Sequence, residues 1–461
     1  MDYDVIVIGA GAAGEAAGSL GGELGARVAV VESNLVGGEC SFWACLPSKS
    51  LLDSARHRAT GADYSWEHAA ERRDWMISRE GDVQYPDDTG HVRGLEAAGA
   101  EVIRGTARIV GSGRVEVRSN GEAPRTLEAR SLIVATGSVP VIPPIEGLVQ
   151  AGFWTSREAT SLRHLPSSIG IMGGGPVGTE MAQVYARFGV KTTVIEGNDR
   201  ILARDHPRSS EVVAEQLRRE GVDLRLGVRA TAVEAGGAGR IVELSDGSTV
   251  DVAELVVAVG RAPIGLTDLG VEEAGVALND RGVPEPDERM RVADGVYVAG
   301  DAAGGLQFTH VADYQGRIAV RNAVGRDAVA DLESVPKATY TDPETGAIGI
   351  TQEEASERGI DAFEVTQDFS VTARGFTIEV PTRDLREGAP GHLTAVVDRE
   401  RGVLVGAFAA CPGASELIHE ATLAVKAKIP LSVLADTIHA FPTGSRVFGN
   451  LMADALKRKE E

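Results

Sequence analysis

Two stretches of this chain, 164 residues apart, repeat one grammar, and that repeat restricts the fold more than any other feature. The first, Asp4-Val-Ile-Val-Ile-Gly9-Ala-Gly11-Ala-Ala-Gly14, is a short apolar run that turns through closely spaced glycines into a helical stretch ending near Gly25. Arg27-Val-Ala-Val-Val-Glu32 follows as a strand closed by a carboxylate. The second, Ser168-Ile-Gly-Ile-Met-Gly173-Gly-Gly175-Pro-Val-Gly178, leads in the same way to Thr192-Thr-Val-Ile-Glu196. Gly9 precedes Glu32 by 23 residues, and Gly173 precedes Glu196 by 23. A lone GxGxxG is weak; two copies, each opening a strand–helix–strand pattern with an acid at the same spacing, predict two dinucleotide-binding units. The first glycine permits a tight turn, the second lets backbone approach a pyrophosphate, and the third lets the helix pack closely on the strand. The phosphates then face the positive end of the helix dipole. Glu32 and Glu196 stand where a carboxylate accepts hydrogen bonds from a ribose 2′-hydroxyl. A 2′-phosphate there is repelled, so Glu196 predicts NADH over NADPH.

Further apolar runs, Leu132–Gly137, Leu255–Gly260 and Val296–Asp301, suit parallel strands buried on both faces. Asp301 closes the last of them, where an acid either accepts from a polyol chain or caps a helix. From about Pro336 the pattern changes. Short strands (Ala347–Ile350, His392–Val397, Val403–Ala407) alternate with helical stretches (Gln352–Arg358, Ala414–Lys426, Leu431–Ile438), as in an α+β domain. The chain therefore reads as α/β, with two Rossmann-like dinucleotide-binding domains and a C-terminal α+β domain. Residues 1–151 form the first domain, 152–270 the second, 271–335 a return to the first, and 336–461 the last. Residues 60–95 are charged and partly helical and suggest no chemistry.

The net charge of −21, with no long basic run, argues against a nucleic-acid partner. No apolar stretch approaches the ~18–20 residues of a membrane span. Asp2 and Asp4 precede the first apolar run, where a secretory signal wants positive charge, so a cytoplasmic setting is expected. Of the 46 basic residues only seven are lysines, which draws attention to Lys49, close to two of the three cysteines.

Those two lie in Gly37-Gly-Glu-Cys40-Ser-Phe-Trp-Ala-Cys45-Leu-Pro-Ser-Lys49. Three cysteines cannot form a disulfide framework, so a close pair suggests redox chemistry or a metal. On a regular helix the pair would be ~7.5 Å apart along the axis, beyond the ~4.4–6.8 Å that disulfides prefer. A turn entering a helix, with Pro47 early in it, closes the gap, and a helix N-terminus there favours a thiolate. Zinc is the rival reading, but only Cys411 remains as a further thiol and no histidines cluster with it.

Taken together these residues resemble the FAD-dependent pyridine nucleotide-disulfide oxidoreductases, such as dihydrolipoamide dehydrogenase, glutathione reductase and mercuric reductase. The resemblance covers nearly the whole chain: GAGAAG at Gly9–Gly14, CSFWAC with LPSK at Cys40–Lys49, ATGS at Ala135–Ser138 and GGGPVGTE at Gly173–Glu180. It continues through VGRAP at Val259–Pro263, AGDAAG at Ala299–Gly304, FTHVADYQGRIA at Phe308–Ala319 and TDPETGAIG at Thr341–Gly349. It implies that Gly9, Gly11, Gly14 and Glu32 hold the adenylate half of FAD, and that Asp301 binds its ribitol. It implies that Gln307–His310 lie against the flavin ring, and it adds Thr136, Gly137, Ser138 and Gly260 to the cofactor-binding residues. Gly173, Gly175, Gly178 and Glu196 hold NAD, Glu180 sits beside the nicotinamide, and Lys49 lies near the flavin, paired with Glu180. Cys40 and Cys45 form the redox disulfide, with Cys45 on the flavin side and Cys40 attacking a small-molecule acceptor. The C-terminal domain builds a homodimer that shares its active sites.

One segment departs from the pattern. The disulfide reductases of this family carry a C-terminal His-x-His-Pro-Thr-x-x-Glu, whose second histidine is the general acid/base and whose glutamate orients it. Here the segment is His439-Ala-Phe441-Pro-Thr-Gly-Ser-Arg446, so Phe441 and Arg446 occupy those two places. Residues two apart on an extended segment face the same way, which makes His439 a candidate substitute. Mercuric reductases also lack the histidine but add a C-terminal cysteine pair, whereas this chain runs out as Leu456-Lys-Arg-Lys-Glu-Glu. A phenylalanine at this place is similar to 2-ketopropyl-coenzyme M oxidoreductase/carboxylase. Phe42 and Trp43, between the cysteines, either narrow access to them or pack. The expected function is an NADH-dependent FAD oxidoreductase with a non-standard acceptor: a reactive disulfide, a thioether ketone, a quinone or a thiophilic metal. The competing expectation is a catalytically degraded flavoprotein serving as a redox sensor or interaction partner.

Overall fold

The computed structural model describes residues 1–78, 86–119, 121–236, 239–380, 383–384 and 386–460. Part of the charged segment 60–95 thus lies outside the described residues; within it, helices run over Trp66–Ser78 and Thr89–Ala97. The chain divides into two compact units. One comprises Met1–Pro47, Glu71–Val141 and Gly260–Asp331, the other Ser48–Ala70, Ile142–Val259 and Leu332–Glu461.

The first unit is built on Tyr3–Ile8, whose apolar residues pair in parallel with Val28–Glu32 on one side and Arg125–Val134 on the other. Ala100–Arg104 and Val296–Val298 extend this parallel sheet, and Arg291–Ala293 closes one edge in antiparallel pairing. Buried side chains cover both faces: Val5, Val7 and Val30 pack on one, Ile6, Ile8 and Leu132 on the other. That is why these strands read as continuous apolar runs instead of alternating ones.

The second unit holds a parallel sheet in the order Asp223–Leu226, Lys191–Glu196, Ser168–Met172, Glu254–Val257. The three-stranded antiparallel sheet Ala230–Gly236, Gly239–Leu244, Thr249–Val252 is inserted in the chain between Asp223–Leu226 and Glu254–Val257. The C-terminal part is a five-stranded antiparallel sheet, ordered Lys337–Thr339, Glu344–Gly349, Val403–Cys411, His392–Asp398, Ala362–Asp368. The helices Ala414–Ala427 and Gly444–Glu460 pack on it through Ile418, Leu451 and Met452. Among the described residues no helix is long and apolar enough to cross a membrane.

Candidate functional site

The two glycine-rich turns have the same geometry. Gly9 has φ +97° and Gly173 has φ +108°, and a Cβ on either would strike a carbonyl, that of Ala135 or of Ala258. A Cβ on Gly14 would overlap the carbonyl of Gly9, and one on Gly178 that of Gly173. The third glycine therefore brings its helix against the turn itself, more closely than against the strand that the sequence suggested. Gly11 and Gly175 stand at the N-caps of Ala12–Glu23 and Pro176–Arg187, and neither helix start is capped by a side chain. First-turn amides without a side-chain acceptor are what a pyrophosphate needs.

Glu32 and Glu196 brace these turns. Glu32 accepts the Ala10 amide at 2.7 Å and the Asn34 amide at 2.7 Å; Glu196 accepts the Gly174 amide at 2.6 Å and the Asn198 amide at 2.8 Å. The repeat thus extends to Asn34 and Asn198, a signal present in the sequence that the motif reading passed over. Asn198 Nδ2 also donates to Glu196 Oε1 at 2.6 Å, so in Glu196 it is Oε2 that keeps a second lone pair for a sugar hydroxyl, as both oxygens of Glu32 do. Arg200, near enough in sequence to suggest a 2′-phosphate ligand, donates instead to the carbonyls of Ala203 and Asp205 at 2.8 and 2.9 Å.

In the first unit, Asp301 lies inside a short 3₁₀ turn, Gly300–Ala303, that begins after Ala299, so it is not a helix cap. Its carboxylate accepts the Ser138 hydroxyl at 2.5 Å, and Arg261 donates to that hydroxyl at 2.8 Å and to the Ser138 carbonyl at 2.6 Å. Arg261 belongs to the VGRAP segment but was not singled out from sequence. Gly137, with φ +77°, accepts the Ile264 amide, and the Gly260 carbonyl accepts that of Val141, which joins the two crossings of the chain. The Thr136 hydroxyl is buried with no hydrogen-bond partner among the described residues. An orphaned buried hydroxyl calls for a ligand or water, so the residues around Gly9 and Thr136 suit a bound dinucleotide.

Cys40 lies on the short helix Gly38–Phe42, and Cys45 is the first residue of Cys45–Ala59. The regular-helix separation therefore does not apply: a break at Trp43–Ala44 intervenes. Cys45 Sγ lies 3.4 Å from Thr309 Oγ1, and Thr309 in turn opens the helix Thr309–Ala323. Two helix N-termini meet at this sulfur, an arrangement that favours thiolate. His310 stacks on Phe308 at 5.3 Å. Phe42 is 2% exposed and packs edge-on against His91, which is tied to Glu15 at 2.7 Å. It is a core residue and does not narrow access; Trp43 is half-buried.

In the second unit, Lys49 Nζ lies 2.7 Å from Glu180 Oε2 and 4.7 Å from the Tyr340 ring centroid. The Tyr340 amide donates to the other Glu180 oxygen at 2.9 Å. Three residues down the same helix, Gln183 exchanges two bonds with the backbone of Asp342, at 2.7 and 2.8 Å. One turn further, Arg187 reaches Asp342 at 2.9 Å and Glu220 at 2.7 Å. One helix face thus carries the loop that orients Glu180. Nothing in the sequence pointed to Tyr340.

The C-terminal segment corrects one expectation. His439 and Phe441 do not face the same way. The His439 side chain is 6% exposed, with Nε2 2.6 Å from Glu420 Oε1, whereas Phe441 is 73% exposed. Gly449 makes room for the imidazole: a Cβ there would overlap the ring. Cys411 is fully buried in the core of the five-stranded sheet, and that burial pushes its thiol well up from the usual range.

Comparison with known proteins identifies the family. Residues 3–316 match the model of the pyridine nucleotide-disulphide oxidoreductase family, and residues 335–452 match the dimerisation domain of the same family. The chain is 36% identical over 455 residues to a dihydrolipoyl dehydrogenase of Thermus scotoductus, covering 96% of this chain and 95% of that protein. It is 29% identical to a mercuric reductase of Staphylococcus aureus, covering 99% of this chain and 81% of that one. Among solved structures, the Cu(II) complex of the HOCl-induced flavoprotein disulfide reductase RclA from Escherichia coli superposes with a TM-score of 0.87. The identity is 27%, over 98% of this chain and 99% of that one.

Proposed function

The chain belongs to the pyridine nucleotide-disulphide oxidoreductases, whose members use FAD and NAD(P)H, and from that premise we propose that it delivers electrons from NADH to a small acceptor whose reduction takes no proton from the protein. When bound, FAD supplies two-electron transfer between the nicotinamide and a sulfur pair. Gly9, Gly11, Gly14, Glu32, Thr136, Ser138 and Asp301 would hold it; Gly173, Gly175, Gly178 and Glu196 would hold NADH.

The chain's own groups do the rest. Cys45 is kept as thiolate by the two helix starts around it. Cys40 is the thiol presented to the acceptor. Closing the Cys40–Cys45 disulfide releases two electrons and the proton of Cys40. Lys49 and Glu180 fix each other, and the pairing would hold Glu180 beside the nicotinamide. The family's dimerisation domain, here with Ile438 94% exposed and Leu423 61% exposed, supports a homodimer in which each copy completes the other's site.

The observation that carries the acceptor reading is the turned-out Phe441 beside the turned-in His439. A leaving thiolate normally takes a proton from a placed acid, worth ~10²–10⁴-fold in rate. A phenyl ring has none to give, and His439 is engaged with Glu420. Acceptors that need no placed acid at this step are a thiophilic metal ion, a quinone, whose reduced oxygens take their protons from water, a thioether ketone, or a disulfide whose thiolate is already stable. The Cu(II) complex of RclA makes copper the first ion to try. The test is anaerobic reduction with NADH followed by rapid mixing with Cu(II), a benzoquinone, an activated aromatic disulfide, lipoamide or glutathione disulfide. Fast reoxidation by the first three and slow reoxidation by the last two is expected. Lipoamide turnover as fast as that of the quinone overturns the reading.

A further inference from the structure

A cavity of about 270 Å³ opens beside Phe441 and is lined by Arg374, Arg446, Gln367, Asn450 and Thr443 among its eleven residues, none of them acidic. In a chain with 67 acidic residues against 46 basic ones, such a wall is unusual. Several surface arginines elsewhere are paired with acids: Arg317 with Asp313, Arg289 with Asp327, Arg219 with Glu215. Among the described residues no carboxylate lies within 4.0 Å of the guanidinium of Arg374 or Arg446. Arg374 makes a 3.4 Å contact with the Thr377 hydroxyl, too long to satisfy a guanidinium. Arg446 is held in the first turn of Gly444–Glu460, where its amide donates to Thr443 Oγ1 at 3.1 Å. Its side chain remains available to a ligand.

We propose that this cavity is an oxyanion-binding subsite for the electron acceptor, with Arg374 and Arg446 gripping a carboxylate, sulfonate or phosphate and Phe441 packing on a short apolar stem. The proposal rests on the functional reading above, which puts Phe441 at the acceptor. A planar guanidinium presents paired donors that match an oxyanion in two-point contact. Two of them on one wall, with no acid to neutralise them, select negative charge. The volume falls below the ~300–1,000 Å³ of pockets for drug-sized ligands, so the group it takes is small. Arg446 then has a purpose at the place where the family's disulfide reductases put a glutamate: it exchanges proton relay for recognition of charge.

The test needs no known acceptor. FAD-loaded protein is titrated calorimetrically with 3-phenylpropionate and with its neutral match, 3-phenylpropionamide. The acid should bind and the amide should bind about 10–100-fold more weakly. Arg374→Gln and Arg446→Gln should each weaken the acid by a similar factor, with Arg446→Lys between. Flavin absorbance and melting temperature check that each variant is folded, and Arg446→Lys serves if Arg446→Gln is not. Equal affinity for acid and amide, or acid binding unchanged in both glutamine variants, overturns the proposal. So does the absence of acid binding together with loss of dimer mass in the variants, because a second copy's carboxylate then fills the cavity. Failure of the functional reading looks different: the acid binds as described while NADH-reduced protein turns over lipoamide as fast as the quinone.

Discussion

Glu180 shares its carboxylate between two anchors, the Lys49 ammonium 2.7 Å from one oxygen and the Tyr340 amide 2.9 Å from the other. Lys49 and Glu180 are 131 residues apart in sequence. The Glu180 side chain is nearly buried while that of Lys49 is a third exposed, so the acid is the fixed member and the lysine the one it steers. Misplacing a group near a reacting centre by ~1 Å costs on the order of 10²-fold in rate. Glu180→Leu and Lys49→Met should each slow NADH-dependent reduction of the holoprotein by about that factor in stopped-flow absorbance. An unchanged rate in both means that the pair only stabilises the fold.

The two sulfurs should differ spectroscopically. Cys45 sits beside Thr309 at the start of two helices, whereas Cys40 is the third residue of the short helix Gly38–Phe42. Cys40→Ser should leave a Cys45 thiolate and give the holoprotein a long-wavelength absorbance band without any reductant. Cys45→Ser should give no band even after one equivalent of NADH. The reverse pattern exchanges the roles.

Discrimination between nicotinamide nucleotides should follow Glu196. Both its oxygens are tied to the turn, which fixes a carboxylate where a 2′-phosphate would sit, and Arg200 is committed to carbonyls and does not offset it. NADH should exceed NADPH by ~10–100-fold in kcat/KM, the ~1–3 kcal/mol of a charged hydrogen-bonding group. Glu196→Ala should narrow that ratio. Comparable use of both nucleotides by the native protein refutes the assignment.

Restoring a proton donor should restore disulfide chemistry. Phe441→His with Arg446→Glu should raise lipoamide turnover within the ~10²–10⁴-fold range of a placed acid. His439→Ala in the native background should leave the slow lipoamide rate as it is, because that imidazole is buried against Glu420. A fall in the rate on His439→Ala makes His439 the donor after all.

Acid should loosen the C-terminal sheet through His392. Burial, then the neighbouring His206 and Arg208, lowers its pKa from 6.5 to about 3. Its ring is held neutral between Ser209 at 3.0 Å and Thr394 at 2.9 Å. Between those pH values the unfolded chain binds a proton that the folded one refuses. Stability is therefore full above about pH 6.5 and falls toward pH 3, by at most about 1.4 kcal/mol per pH unit. His392→Gln should flatten the melting temperature between pH 4 and 6.5 relative to the native protein.

The two nucleotide-binding turns could be read from the chain alone, because their cause is local and steric. Only glycine tolerates φ near +100° at Gly9 and Gly173, and only glycine leaves room for the facing carbonyls at Gly14 and Gly178. The buried parallel strands were legible for the same reason: burial on both faces writes an unbroken apolar run. The composition of the cysteine loop was legible too, but its geometry was not. The break at Trp43–Ala44 and the arrival of Thr309, 264 residues from Cys45, depend on how distant segments pack. Tyr340 behind Glu180, the inward turn of His439 under Gly449, and the meeting of Arg374 with Arg446 are likewise invisible to periodicity. A local rule can say that two residues on an extended segment face one way. Whether the backbone stays extended there, and which side chain finds a buried partner, is decided by contacts between elements that no spacing within one segment encodes.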